Sequence, residues 1–139
     1  MTASETRWLR QSGASVRVTL DRLEKVISEN SEIAILARLD QTAQVRAGGG
    51  AAREMEMLLF QNRRLVTAFY EIGPEHLFQF PIRALAWEDE QERVWLRVTD
   101  PLALGRASGL GPEHPLIRTI CSILGGMVDR TLSAEPLTE

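Results

Sequence analysis

Two apolar segments, Pro81–Trp87 and Arg93–Val98, are separated by only five residues, Glu88-Asp89-Glu90-Gln91-Glu92. A short polar connection between two strand-like runs reads as a hairpin, so these strands lie side by side and antiparallel. Any sheet the chain builds is therefore not purely parallel. That excludes the simple doubly wound folds and favours an α+β arrangement.

The segments before the hairpin switch between two periods. Val16, Leu20, Leu23 and Ile27 recur at helical spacing, with Ser15 placed to cap a helix over 16–29. Ile33, Ile35, Ala37 and Leu39 alternate instead, as a strand does. Asp40 is then an N-cap for a short helix, Gln41–Ala47. Glu54–Phe60 reads as a strand and Arg64–Ile72 as a short helix. After the hairpin come a helical turn at Pro101–Arg106 and a long helix, Pro115 to about Leu132. At the start, Glu5–Gln11 is a strand candidate anchored by Trp8, and Ser12-Gly13-Ala14 a turn. The tail from Ser133 to Glu139 is polar and expected to fray. The order is β-α-β-α-β-α-β-β-α, in one domain over 1–139, with helices packed on one face of the sheet.

The triplet Gly48-Gly49-Gly50 invites a phosphate-loop reading, which its setting opposes. Phosphate loops run strand, glycine-rich turn, helix, because the helix N-terminus supplies the N–H groups. Here the glycines follow a helix and precede a strand, and Ala51-Ala52-Arg53 replaces the Gly-Lys-Ser/Thr ending. They are expected to cap the helix in a left-handed conformation and to loosen the loop.

Composition narrows function further. With 139 residues, 44% hydrophobic and 25% charged, the chain is globular in character. A formal net charge of −3 opposes generic binding to nucleic acid or an anionic membrane. Lys25 is the only lysine, and the arginines are scattered. Cys121 is the only cysteine, in an apolar helical pattern, which suits inert packing in a reducing compartment. Residues 1–11 carry no signal-peptide pattern and no apolar run is long enough for a membrane span, so a cytoplasmic location is expected.

Few residues offer chemistry. Gly73-Pro74-Glu75-His76 and Gly111-Pro112-Glu113-His114 hold both histidines, yet Gly-Pro-Glu is also a helix-start pattern and no tight ligand spacing points to a metal. No Gly-x-Ser-x-Gly or comparable nucleophile arrangement occurs. Neither a metal nor a cofactor is expected. Asp40, Asn62 and Asp100 fall at strand ends, where a cleft can form, although capping and turn roles explain each of them. Gly125-Gly126 inside the last helix marks either a break or the close approach of another backbone, in intrachain packing first and in a subunit contact second. Leu77-Phe78-Gln79-Phe80 and Phe69-Tyr70 form an aromatic cluster that suits a core or a pocket.

The centre of the chain resembles the bacterial and archaeal family called domain of unknown function 302. The resemblance rests on Leu39-Asp40-Gln41-Thr42-Ala43, Gly48, Phe60-Gln61-Asn62-Arg63, Phe80-Pro81-Ile82-Arg83, Trp87-Glu88-Asp89 and Asp100-Pro101, in that order, after an opening helix over residues 15–27. It covers about residues 15–130. It implies a curved, mainly antiparallel sheet against helices, like half of the TATA-box-binding protein, with no implication of DNA binding. It transfers no catalytic residue. Gln41 stands where the family has histidine, and Gln61 and Arg63 flank Asn62 in place of Gly and Pro, so that turn must be built differently.

The leading expectation is a non-catalytic cytoplasmic domain, a homodimer, that binds a small molecule or a protein. The alternative is an enzyme of unknown class in which Asp40, Asn62, Asp100 and the anion anchor Arg83 converge on one cavity. A third reading, a purely structural role in a larger assembly, predicts a large exposed apolar patch.

Overall fold

In the computed structural model, which describes residues 6–133, the antiparallel hairpin is the middle of a five-stranded sheet. The strands are β1 (Leu9–Ser12), β2 (Ile33–Asp40), β3 (Met55–Asn62), β4 (Ile82–Glu88) and β5 (Val94–Val98). Their order is β1-β5-β4-β3-β2, and every neighbouring pair is antiparallel. The helices are α1 (Val16–Ser28), α2 (Gln41–Ala47), α3 (Arg63–Ile72), α4 (Pro101–Ala107) and α5 (Pro115–Ser133). A 3₁₀ turn, Pro74–Gln79, follows α3, with Pro74 at its start. The expected α+β fold class is what forms, and the sheet is antiparallel throughout.

The two long helices cover one face. Val16, Leu20, Leu23 and Ile27 of α1 are buried, as are Ile117, Ile120, Leu124 and Val128 of α5. Beneath them lie Leu58 and Phe60 of β3, Ile82, Ala84 and Ala86 of β4, and Val94, Leu96 and Val98 of β5. The alternation of the strands puts these residues on one side. Ala84 and Ala86, both 0% exposed, leave room for α1 to sit close to the sheet. Phe69 and Phe80 meet edge to face at 5.2 Å, so part of the aromatic cluster joins the core.

The first strand differs from expectation. Glu5 lies outside the described residues, and the strand runs Leu9–Ser12, so Ser12 pairs with Val94 instead of turning. The buried Ser12 hydroxyl lies 2.6 Å from that of Thr19 on α1, which also donates to the Ser15 carbonyl at 2.7 Å. That satisfied polar pair fixes the chain's entry into α1. Of the expected tail, 134–139 lie outside the described residues.

One ionic group binds α1 to the sheet. Arg38 on β2 donates to Asp21 at 2.7 Å and Glu24 at 2.6 Å on α1, and to Glu56 at 2.8 Å on β3. Burial opposes its charge, but the hydrogen bonds it donates to the three carboxylates outweigh burial and raise the guanidinium's pKa. Removing it leaves three acids facing one another. Arg38→Ala is therefore expected to cost roughly 1–3 kcal/mol at neutral pH. Thermal unfolding across pH checks this: the loss should shrink as the solution is acidified through the ordinary carboxylate range, and a pH-independent loss contradicts the tether.

Candidate functional site

Alternation sends as many side chains to the other side of the sheet, and no long helix among the described residues covers them. The register builds three rows there. Met55, Trp87, Trp95 and Gln11 form the first. Leu39, Met57, Leu85, Arg97 and Leu9 cross all five strands in the second. Ala37, Leu59 and Arg83 form the third. Most of this face is apolar, yet none of these side chains is fully buried, and Leu39 is 39% exposed. An apolar sheet face without a covering layer is the most unusual surface of the molecule. The sequence carried a signal for it. Met55, Met57 and Leu59 alternate with the buried Leu58 and Phe60, so β3 is apolar on both sides. A strand that met water on one face would show polar residues at every second position.

The two ends of the face differ chemically. At one end, Arg83, Arg97, Thr99 and Asp100 rim a groove of about 380 Å³ floored by Met57 and Leu85. Among the described residues neither the Arg83 nor the Arg97 guanidinium has a hydrogen-bonded or ionic partner, although the Arg83 backbone N–H donates to the Thr99 hydroxyl at 3.0 Å. At the other end, a groove of about 860 Å³ runs over Met55, Trp87 and Trp95 between the Ala51–Arg53 loop and the acidic hairpin. Asp89 organises that hairpin. Its carboxylate accepts from the Trp95 indole Nε1 at 2.9 Å and from the backbone N–H groups of Gln91 and Arg93, both at 2.9 Å. The Trp95 bond is the largest cause of its lowered pKa, with the two backbone donors and Arg93 acting in the same direction.

The expected site residues separate. Asp40 Oδ1 accepts the Ala43 N–H and caps α2. Asn62 Oδ1 accepts from the N–H groups of Arg64 and Leu65 and caps α3. Asp100 Oδ1 accepts the Leu102 N–H and caps α4, with Pro101 at its first position. Asp40 lies opposite Glu56, six residues along β3 from Asn62, which places the two roughly 20 Å apart. Asn62 instead borders a core cavity of about 20 Å³, too small for a ligand. Only Arg83 and Asp100 share a groove. A four-residue catalytic cluster does not form, because the strand register spreads its members over both ends and both faces of the sheet.

Other sequence features resolve locally. Gly49 has φ +90°, and a Cβ on Gly50 would lie 2.8 Å from Val45 Cγ1. The N–H groups of Gly48, Gly49 and Gly50 bond back to carbonyls of α2, so the triplet is a tied helix end and not the loosened loop expected. The turn after β3, lacking the family's Gly and Pro, is held by Arg63, whose N–H reaches the Glu32 carbonyl and whose guanidinium reaches that of Ser31. His114 Nδ1 accepts the Leu116 N–H at the start of α5, and His76 sits beside Glu75. Among the described residues no three His, Cys, Asp or Glu side chains gather as metal ligands. α5 continues unbroken through Gly125-Gly126, because the close approach comes from the Arg7 side chain, packed where a Gly125 Cβ would stand. Burial raises the pKa of the Cys121 thiol, with Asp100 adding to the effect and Arg7 opposing it.

Comparison with known proteins decides the family. A profile described as "Domain of unknown function DUF302" matches residues 9–124. The chain belongs to the DUF302 family. A crystal structure of an uncharacterized conserved DUF302 protein from Bacillus stearothermophilus superposes with a TM-score of 0.71, at 13% identity, over 90% of this chain and 94% of that one. At that identity the likeness speaks for the fold. Two curated relatives, each named fluoride-specific ion channel FluC 1, are 31% identical over 101 residues: one from Brucella suis biovar 1 (strain 1330), the other from Brucella abortus biovar 1 (strain 9-941). The match takes in 73% of this chain but 39% and 37% of those proteins, so the DUF302 chain spans about two-fifths of their length. No helix among the described residues is long and apolar enough to cross a membrane.

Within this DUF302 chain, the lowered pKa of Asp89 has a pH consequence. Its stabilisation of the hairpin is complete above the carboxylate's unfolded value and is lost as pH falls through the lowered, folded one. The Trp95 indole N–H resonance should therefore titrate below the ordinary aspartate value of about 3.9. Asp89→Ala should lower the melting temperature at neutral pH and abolish that titration. A titration of Trp95 at or above the ordinary value contradicts the assignment.

Proposed function

We propose that this DUF302 chain is a non-catalytic cytoplasmic binding domain whose working surface is the uncovered sheet face. The apolar rows centred on Met57, Leu85 and Trp87, lying outside the core, carry the reading. Such a face invites a protein surface of similar shape more than a small ligand, because its two grooves are broad and shallow. Catalysis has less support. The Asx residues are engaged as caps, and no nucleophile with a neighbouring base occurs among the described residues.

The relatives named as fluoride channels fit this reading. The segment they share with the chain is the smaller part of their length, and here it has no membrane-crossing helix. We read the segment in those proteins as an associating domain beside a channel carried by the rest of the chain.

The reading predicts opposite responses from adjacent positions of β4. Leu85→Glu, on the uncovered face, should leave the melting temperature within a few degrees of the parent. Ala84→Glu, on the core face, should prevent folding, since it buries an unpaired charge. Native mass spectrometry of gently purified protein should show the parent with a stoichiometric added mass and Leu85→Glu without it. A parent that flies only as a bare single chain overturns the binding reading.

A further inference from the structure

The occupant of the uncovered face can be specified, on the condition that the face is a binding surface at all. We propose that it is a second copy of this chain, packed face to face about a two-fold axis that lies in the interface and runs across the strands at the level of Ala86.

Charge placement selects both the partner and the axis. The unpartnered guanidiniums of Arg83 and Arg97 stand at one end of β4 and β5. Glu88, Asp89 and Glu90 stand at the other; Arg53 pairs with Glu88 and Arg93 with Asp89 there, and among the described residues Glu90 has no partner, so it is the unbalanced charge of that end. One face thus carries both halves of a complementary pair, separated along the strand direction. An isologous dimer needs a self-complementary patch of that kind. Rotation about an axis across the strands reverses the strand direction. It lays Arg83 of each copy toward Glu90 of the other, and Arg97 against the other's Trp95 with its bonded Asp89. The alternative in-plane axis, along the strands, puts Arg83 on Arg83 and acidic hairpin on acidic hairpin, which like-charge repulsion opposes.

Size and shape agree. Five strands about 4.8 Å apart and the seven residues of β4 define a face of roughly 24 by 23 Å. That is about 550 Å² in plan, of the same order as the ~800 Å² per partner of a standard interface. The centre of the patch is apolar and aromatic, with Met57, Leu85 and Trp87, and the charges lie toward the rim, as in stable interfaces. Two sheets packed this way share the geometry of a β-sandwich, with the faces about 10 Å apart. Edge-to-edge pairing through β2 is less suited. A bulge between Ile35 and Ala37 interrupts that edge, although Leu36 there is 52% exposed.

Sedimentation velocity and native mass spectrometry at tens of micromolar test the proposal on the full chain. A homodimer is expected. Leu85→Glu should dissociate it while the far-ultraviolet circular dichroism stays that of the parent. Arg83→Glu alone and Glu90→Arg alone should each weaken association by about tenfold or more, and the double variant should restore it. The double variant keeps the test open if Leu85→Glu does not fold. It also discriminates the axes, because neither single reversal adds repulsion when like residues already face each other. A parent monomer carrying a different stoichiometric mass overturns the second-copy proposal and leaves the binding reading standing. A bare monomer overturns both. A dimer that survives Leu85→Glu and is broken by Leu36→Lys overturns the face-to-face geometry in favour of the β2 edge.

Discussion

Side chains leave a β-strand alternately to its two faces, and in this protein α1 and α5 close over only one of them. The rest of the structure depends on that asymmetry. It concentrates Leu20, Leu23, Leu58, Phe60, Leu96, Ile117 and Leu124 into a single core. It leaves Met57, Leu85, Trp87 and Trp95 on a surface whose composition belongs to an interior. A sheet built solely for its own stability would present polar residues there. Retaining large apolar and aromatic groups raises the risk of unwanted association, and a binding role for the face makes sense of that risk.

Polar groups elsewhere are spent on holding this arrangement. Arg38 ties β2 and β3 to α1 through three carboxylates. Asp40, Asn62 and Asp100 each end a strand or loop and start a helix by accepting its first free N–H groups. Asp89 does comparable work in the hairpin. These four side chains are thereby engaged in local architecture, at positions distributed along both ends of the sheet. Arg83, Arg97 and Glu90 are the contrast. They are charged, lie along the uncovered face or beside it, and their side chains have no partners among the described residues.

Membership of DUF302 explains the shape of the chain without assigning it a reaction. The Bacillus stearothermophilus structure is 13% identical, so what the comparison shows in common is the fold. The Brucella relatives add a different kind of information, because their matched segment is a minor part of a longer protein. A module that recurs inside longer chains is consistent with a role exercised through its surface.

Much of the fold was legible in the chain because its signals are local. The helical stripe from Val16 to Ile27, the caps at Ser15, Asp40 and Asp100, and the short acidic connection before β5 depend on residues a few positions apart. The first strand was less legible: Ser12 reads as a turn residue, and only its pairing with Val94 and its contact with Thr19 make it strand. Of the two readings of Gly125-Gly126, a break or a close backbone approach, neither is what forms: the helix is continuous and the group that fills the space is the Arg7 side chain, far away in sequence. The candidate site suffered most. Asp40, Asn62 and Asp100 looked alike as polar residues at strand ends, with Arg83 added as an anion anchor, and only register shows that Arg83 and Asp100 share a groove while the other two do not. By itself, then, the sequence determined the elements, their caps and the antiparallel hairpin, because capping, periodicity and short connections act over a few residues. Tertiary structure alone decided which face of the sheet stays uncovered and which charges meet upon it, because strand order, register and helix docking join residues that the chain holds far apart.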